Sequence, residues 1–159
     1  MQRIQEIIKH PLFLMHMEKN AESEKDRQFC KHDLSHALDV ARISQLRNVE
    51  EGLLLEKELL YAAALLHDIT KWQQYADKSP HNETAIAPAT KILQETGFTK
   101  EEIDNICYAI YHHRKGTGED NLYARLLFWA DKRARACFFC EMGETCHRAQ
   151  DLKNFTLEY

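Results

Sequence analysis

A histidine and an aspartate stand side by side near the end of an apolar stretch, YAAALLHDITK, which covers residues 61–71. Its apolar residues leave no polar face, so the stretch is predicted to be a helix buried on every side. An imidazole and a carboxylate are tolerated there only if they are paired, hydrogen-bonded or bound to a metal. His67 and Asp68 are therefore candidates for chemistry. The chain's other such pair, His32-Asp33, lies in a polar stretch, so the dipeptide alone is weak evidence.

Residues of the same two types recur in other segments of the chain. Histidine and aspartate together suit Fe, Mn, Co, Ni or Zn, whereas an oxygen-only calcium cage is not indicated. The candidate metal ligands are His36, His67, Asp68, His81, His113 and Asp131. Taken alone, a histidine on an apolar helical stripe, such as His36, is more often a core residue than a ligand. The case for a metal site therefore depends on the whole set.

Composition and length indicate which fold must position these residues. Five glycines and three prolines in 159 residues are few, and good helix formers are plentiful, which favours helices joined by short connections. A chain of this length matches the common size of one domain. The sequence predicts an all-α fold, a single-domain helical bundle.

Apolar periodicity and capping signals place the helices. They are predicted over residues 2–9, from Pro11 onwards, over 30–47, over 58–69, over 81–96 with Gly97 as C-cap, from a Thr99-Glu102 capping box to His112-His113, and over 122–136. Residues 18–28 are almost wholly polar and are expected to be an exposed helix end or linker without chemistry. His10 and His16 are expected at the surface, and residues 72–79 are expected to form a loop.

Charge and targeting signals exclude some classes of function. The net charge is −4 and the basic residues are dispersed, so no stable nucleic-acid binding is expected. No signal peptide is evident, and the apolar run 11–17 is too short to cross a bilayer. We therefore expect a cytoplasmic protein without a membrane partner. In that reducing compartment five cysteines are expected to be thiols or metal ligands.

The candidate ligands stand in three motifs, HALDVAR, LLHDITK and LLFWADK, which contain His36, His67-Asp68 and Asp131. Their order resembles the H…HD…D signature of the HD-domain superfamily of metal-dependent phosphohydrolases, over about residues 30–135. The resemblance implies a helical bundle of the HD-domain type and one metal ion. Its ligands would be His36, His67, Asp68 and Asp131. The alternative is that these are unrelated core or surface residues.

Two further segments, PHNETAIA and AIYHHRKG, resemble the additional histidine motifs of a two-metal HD subclass. That subclass includes HD-type diadenosine tetraphosphate hydrolases and, more distantly, HD-GYP phosphodiesterases. The resemblance implies that His81 and His113 hold a second ion, with His112 as a neighbour. The alternative is a one-metal site in which both histidines are outer donors. No GYP motif occurs, so cleavage of cyclic-di-GMP is disfavoured.

The resemblance also implies a mechanism and its catalytic residues. Two ions bridged by Asp68 would lower the pKa of a shared water and clamp the phosphate during in-line attack. Lys71 matches a basic residue that often follows the HD pair and could neutralise charge on phosphorus. Arg114, Lys115 and Arg133 are candidate phosphate contacts, although a solvated position suits each equally well.

The C-terminal part carries a separate set of candidate ligands. Cys137, Cys140, Cys146 and His147 have the ligand count of a structural zinc site, with Cys30 as another candidate fourth ligand, but the usual second-pair spacing is missing. Short HD proteins with a similar cysteine-containing tail exist. The alternatives are a redox or iron–sulfur thiol set, or cysteines that pack as small hydrophobes.

The expected organisation is N-terminal helices over residues 1–29, an HD domain over 30–136, and a cysteine-containing tail over 137–159 packed on the same domain. The expected function is hydrolysis of a phosphate ester or phosphoanhydride of a nucleotide or another small phosphorylated molecule. The alternatives are a di-iron oxygenase on the same scaffold and a non-catalytic nucleotide or metal sensor. A homo-oligomer is compatible with the sequence, and substrate identity is not encoded in any motif.

Overall fold

The computed structural model describes residues 1–118 and 120–157, and the regular structure within those ranges is helical, without a strand. The helices are α1 (Gln2–Lys9), α2 (Pro11–Ser23), α3 (Leu34–Glu50), α4 (Lys57–Leu66), α5 (Lys71–Asp77), α6 (His81–Thr84), α7 (Ile86–Glu95), α8 (Lys100–His112) and α9 (Leu122–Arg133). Short 3₁₀ turns follow at Cys137–Phe139 and Gln150–Leu152. The all-α prediction is confirmed. Among these described helices, none is both long and apolar enough to cross a bilayer.

Helix α4 lies at the centre of the bundle. Leu59, Leu60 and residues 62–66 are all buried, because α4 packs against α3, α8, α9 and α1. A helix that is apolar all round can be stable only in such a position. Its C-terminal end therefore delivers the next two residues, His67 and Asp68, to the interior of the protein.

Several local signals give the structure that they predict. The Thr99 side chain accepts a hydrogen bond from the Glu102 amide, and the Glu102 carboxylate accepts one from the Thr99 amide. These two bonds form the capping box of α8. Gly97 adopts φ +81° after α7, and the amides of Gly97 and Phe98 donate to the carbonyls of Gln94 and Leu93. This pair of bonds is a Schellman motif, and the positive φ explains the glycine.

Two predicted elements are wrong. Residues 72–79, expected to be a loop, begin within helix α5 (Lys71–Asp77). The helix expected over 81–96 is interrupted at Ala85, which separates α6 from α7. Pro88 explains the interruption, because its ring nitrogen cannot donate to the carbonyl four residues earlier and its ring crowds that carbonyl.

The expectation of an exposed helix end or linker over residues 18–28 holds for most of the segment and fails at two residues. Asn20 and Glu24 are buried, with 1% and 2% of their surfaces exposed. His16 is buried as well and accepts a hydrogen bond from the indole nitrogen of Trp72 at 3.1 Å. His10 is half-buried and caps α2 by accepting from the amide of Leu12. Charged and polar residues in this segment therefore belong to the interior network of the protein.

The C-terminal segment returns to the end of α9. The amide of Phe138 donates to the carbonyl of Asn154 at 2.9 Å. The side chain of Asn154 in turn donates to the carbonyl of Arg133 at 3.0 Å. These bonds hold the tail against α9. The predicted division of the chain into segments 1–29, 30–136 and 137–159 stays a prediction.

Candidate metal centre

The six candidate ligands of the sequence analysis lie together in the interior. They form two groups in which the ligand atoms lie within 4.8 Å of one another and could hold a metal ion. The first group is His36, His67, Asp68 and Asp131, and the second is Asp68, His81 and His113. All six are buried. Five segments of the chain contribute: α3, the turn after α4, α6, the end of α8, and α9.

In the first group, imidazole nitrogens and carboxylate oxygens face each other. His36 Nε2 lies 3.2 Å from Asp131 Oδ1. His67 Nε2 lies 3.0 Å from Asp68 Oδ2 and 3.9 Å from Asp131 Oδ1. Two nitrogens and two carboxylates around a shared centre suit a borderline divalent ion.

In the second group, the other oxygen of the same aspartate faces two histidines. Asp68 Oδ1 lies 3.0 Å from His81 Nε2 and 3.7 Å from His113 Nε2. The two histidine Nε2 atoms are 3.1 Å apart. Because each oxygen of Asp68 belongs to a different group, its carboxylate stands between the two groups, as a bridging ligand would.

The hydrogen bonds of the imidazoles decide which ring nitrogen points at the centre. Nδ1 of His67 donates to the carbonyl of Ala64 at 2.7 Å, and Nδ1 of His113 donates to the carbonyl of Ile110 at 2.6 Å. Nδ1 of His81 lies 2.5 Å from the amide oxygen of Gln74. A carbonyl oxygen can only accept, so in the neutral imidazoles Nε2 carries the lone pair. Such outer bonds are usual for metal-binding histidines.

The imidazole nitrogens and carboxylate oxygens at this centre are therefore mostly hydrogen-bond acceptors, with too few donors among them. Among the described residues, His67 Nε2 and Asp68 Oδ1 are buried and have no hydrogen-bond partner. His81 Nε2 is close to Asp68 Oδ1, but the pair lacks the geometry of a hydrogen bond. Buried acceptors that face each other repel unless a cation lies between them. The donor set thus fits a divalent metal ion.

The pKa values of the candidate ligands also indicate which of them are neutral and which are ionised. Burial lowers the pKa of His81 to about 4 and also lowers the pKa of His113, so both are held in the neutral form that binds metals. Burial acts in the same direction on His67, but the Asp68 carboxylate outweighs it and raises the pKa of His67. Burial would raise the pKa of Asp68, yet His67 and its neighbours lower it well below the ordinary value. Asp68 is therefore ionised.

Helix α2 holds the backbone of the HD pair, a role that the sequence did not reveal. Asn20 donates from Nδ2 to the carbonyl of Asp68 at 2.9 Å. Its Oδ1 accepts from the amide of Trp72 at 2.9 Å. One buried amide side chain thus fixes both ends of the turn that carries Asp68 into α5.

A further histidine, His32, lies beside the centre. The sequence analysis did not count it as a candidate ligand, because its stretch of sequence is polar. His32 is 5% exposed, and its Nε2 lies 3.9 Å from Asp68 Oδ2. Its Nδ1 lies 2.5 Å from Glu24 Oε1, and Tyr75 donates to the same oxygen at 2.6 Å. Glu24 therefore orients His32 towards Asp68. The signal available in the sequence was the spacing of four residues between His32 and His36.

The metal centre forms one wall of a cavity of about 390 Å³. Lys71 and Arg114, two of the predicted phosphate contacts, line this cavity, and Lys71 Nζ lies 3.4 Å from His81 Nδ1. Four more basic side chains line it that were not predicted: Arg27, Lys132, Arg135 and Arg148. The cavity lining thus holds six basic side chains together with the carboxylates of Asp68 and Asp131.

The other two predicted phosphate contacts lie elsewhere. Arg133 does not line the cavity and instead donates from Nη1 to Asn154 Oδ1 at 3.3 Å. The neighbouring Lys132 takes the position in the cavity that was predicted for Arg133, because successive helical residues point in different directions. Lys115 is exposed and is not part of the cavity lining.

The predicted zinc site in the tail stays a prediction. Within residues 1–118 and 120–157, neither group of clustered ligand atoms includes a cysteine. Cys137 and Cys140 line a neighbouring cavity, and Cys146 and His147 line the cavity beside the candidate metal centre. Cys30 lines both cavities. Each of the five cysteines is a free thiol.

Comparison with known proteins identifies the family. The model of the HD domain matches residues 33–136, and the chain therefore belongs to the HD domain family. The recognition based on the H…HD…D motifs is confirmed. The chain is also similar to a protein of Clostridium beijerinckii, described as "Uncharacterized protein", with 39% identity over 159 residues and complete coverage of both chains. No solved structure matches the chain.

Proposed function

We propose that this protein is a phosphohydrolase that uses two divalent transition-metal ions to cleave a phosphate ester or phosphoanhydride of a small molecule. The observation that carries the proposal is the position of Asp68. Its two carboxylate oxygens face two separate groups of buried ligands, at the wall of a cavity lined by basic side chains. Membership of the HD domain family supports the same class of reaction.

The residues divide into those that would hold metal and those that would hold substrate. One ion would be held by His36, His67, Asp68 and Asp131, and the other by Asp68, His81 and His113. When bound, the two ions supply an activated water and neutralise charge on the phosphate oxygens. The role of the histidines depends on their Nδ1 bonds, which keep the Nε2 lone pairs directed at the centre.

Substrate orientation is assigned to the basic residues nearest the centre. Lys71 is half-buried, with its ammonium group beside His81, and Arg114 lines the same cavity. Burial lowers the pKa of Lys71, whereas the nearby Asp68 carboxylate favours its charged form. A guanidinium and an ammonium group suit a tetrahedral phosphate, because each donates charge-assisted hydrogen bonds to its oxygens.

The first test measures the metal content of the purified protein by elemental analysis. We expect two equivalents of a transition metal in the wild type, loss of both in Asp68→Asn, and loss of about one in His113→Ala, because only Asp68 belongs to both groups. Asp39→Asn is the matched control, since Asp39 is exposed and forms a surface pair with Arg42. Metal content that does not depend on Asp68 would contradict the proposal.

The second test measures release of orthophosphate from a panel of nucleotides and sugar phosphates in the metal-loaded protein. We expect activity that disappears on chelation and is reduced at least about 100-fold in Asp68→Asn, because the loss of a metal ligand removes the activated water. The reaction should proceed equally well without O₂. A reaction that requires iron and O₂ and releases no phosphate would instead indicate an oxygenase.

A further inference from the structure

One part of the cavity wall is built by residues outside the segment that the HD domain model matches. That segment is 33–136. Arg27 and Phe29 come from the chain before it, and His147, Arg148 and Leu152 come from the chain after it. The metal ligands all lie inside the matched segment. The cavity therefore has a metal-binding part common to the family and another part supplied by this chain's two terminal regions.

The two terminal regions meet at an aromatic contact. The rings of Phe29 and His147 pack edge to face, with centroids 5.5 Å apart. This contact places the residues on either side of it, Arg27 and Arg148, around the same opening. The tail is thus part of the cavity and not only a covering of α9.

Arg27 is held in place but carries no opposite charge nearby. Its Nε donates to the carbonyl of Cys30 at 2.9 Å, and its guanidinium lies 5.4 Å from the centroid of the Tyr75 ring. Arg148 donates from Nη1 to the carbonyl of Leu152 at 3.5 Å. In the described ranges, no carboxylate lies within 4 Å of either guanidinium. Both cations therefore have capacity for an anionic partner.

A third arginine, Arg135, lines the same cavity. Arg135 is 7% exposed and donates from Nη2 to Asp131 Oδ1 at 2.9 Å. Its Nε is buried and, within the described part of the chain, has no hydrogen-bond partner. Arg135 is thus paired with Asp131 through Nη2, and burial together with the charge of Arg135 lowers the pKa of Arg148. A buried donor without a partner is costly unless a ligand accepts from it.

We propose that Arg27, Arg135 and Arg148 form a second anion-binding subsite, which holds a second phosphate group of the substrate. The inference rests on the proposed function, in which the metal centre takes the phosphate group that is cleaved. The substrate class is then a compound with at least two phosphoryl groups, because a single phosphate would leave the subsite empty. Several guanidinium groups around one opening suit a tetrahedral dianion better than a singly charged carboxylate.

The experiment measures binding by calorimetry to the metal-loaded protein. The probes are ethane, propane and butane diphosphonates, each compared with the monophosphonate of the same carbon chain. Phosphonates are not hydrolysed, so the measurement does not depend on turnover. We expect at least one diphosphonate to bind about tenfold or more tightly than its monophosphonate, because the second group adds charge-assisted hydrogen bonds. The best spacing reports the distance between the two binding positions.

Variants assign the gain to the subsite. Arg148→Gln and Arg27→Gln should each remove most of the preference for the diphosphonate, whereas Arg133→Gln should keep it, since Arg133 points away from the cavity. Two glutamine variants guard against one that fails to fold. The inference is wrong if no diphosphonate exceeds its monophosphonate, or if the preference survives in both Arg27→Gln and Arg148→Gln. Metal content and phosphate release test the proposed function separately, so failure of the subsite leaves that proposal standing.

Discussion

At the scale of single residues, Glu24 is an unusual feature of this protein, because a carboxylate that is 2% exposed needs several donors. It has three: the His32 amide at 2.7 Å, Nδ1 of His32 and the Tyr75 hydroxyl. Burial would raise the pKa of Glu24, but these hydrogen bonds and the charge of His32 lower it. Glu24 is therefore ionised when the protein is folded.

We predict that Glu24→Gln lowers the free energy of unfolding at neutral pH by about 2 kcal/mol, the usual loss when a buried charged hydrogen-bond acceptor is neutralised. A lowered pKa in the folded state contributes stability above the unfolded pKa, and this contribution is lost as the pH falls through the folded pKa. The difference between wild type and variant should thus be present above the ordinary value of 4.5 and shrink below it.

Urea unfolding at a series of pH values measures this difference. Glu22→Gln is the matched control, because Glu22 is exposed in the last turn of α2, two residues before Glu24, and should change stability by less than about 0.5 kcal/mol. A Glu24→Gln variant with wild-type stability at neutral pH would show that the buried carboxylate contributes nothing.

At the scale of elements, the turn between α4 and α5 is held from outside by α2. This turn contains Asp68, and Asn20 bonds to both of its ends, at the Asp68 carbonyl and the Trp72 amide. The Asp68 carbonyl also accepts from the Lys71 amide at 3.0 Å, within the turn itself. Helix α2 therefore fixes the position of Asp68, which belongs to both candidate ligand groups, although α2 contributes none of the candidate ligands.

We predict that Asn20→Ala lowers the free energy of unfolding by about 2–3 kcal/mol, because the Trp72 amide loses its partner and the Asp68 carbonyl keeps only the Lys71 amide as a donor. It should also weaken metal binding, since Asp68 is then less well positioned. Asn105→Ala, which removes a side chain bonded mainly within α8, is the control. Chemical denaturation and metal titration measure the two effects. Asn20→Ala with unchanged metal affinity would mean that α2 stabilises the fold without positioning the centre.

At the scale of the whole molecule, the metal centre joins five segments of the chain around one point. The acceptors at this point are close enough to repel one another when no cation is present. An ion that binds the folded protein and not the unfolded chain adds stability in proportion to the logarithm of its concentration over its dissociation constant. Metal should therefore stabilise the entire bundle.

We predict that removal of metal by chelation lowers the melting temperature by on the order of 5–10 °C for a domain of this size. Differential scanning calorimetry, with and without added metal, measures the shift, and re-addition of metal should restore the original value. Asp68→Asn should show no such response, because it lacks the bridging carboxylate. An equal melting temperature for the metal-free and metal-loaded wild type would be evidence against a metal that binds the folded state.

Local patterns in the sequence determined the helical class, the central buried helix and the six candidate ligands. These features depend on residues near each other in the chain: apolar periodicity around α4, the Thr99-Glu102 capping box, and motifs with a fixed order of histidines and aspartates. The two helix predictions that were wrong also have causes in the neighbouring sequence. The proline at position 88 was overlooked, and α5 lacks the apolar stripe that reveals a helix.

The tertiary structure alone decided which polar residues surround the centre. Glu24 and His32 looked like solvated residues because their neighbours in sequence are polar, but they are buried by contacts with Tyr75 and with each other. Likewise, Arg27 and Arg148 are 121 positions apart in number and meet through Phe29 and His147. Burial and charge pairing depend on contacts between distant segments, and no local pattern in a single sequence records those contacts.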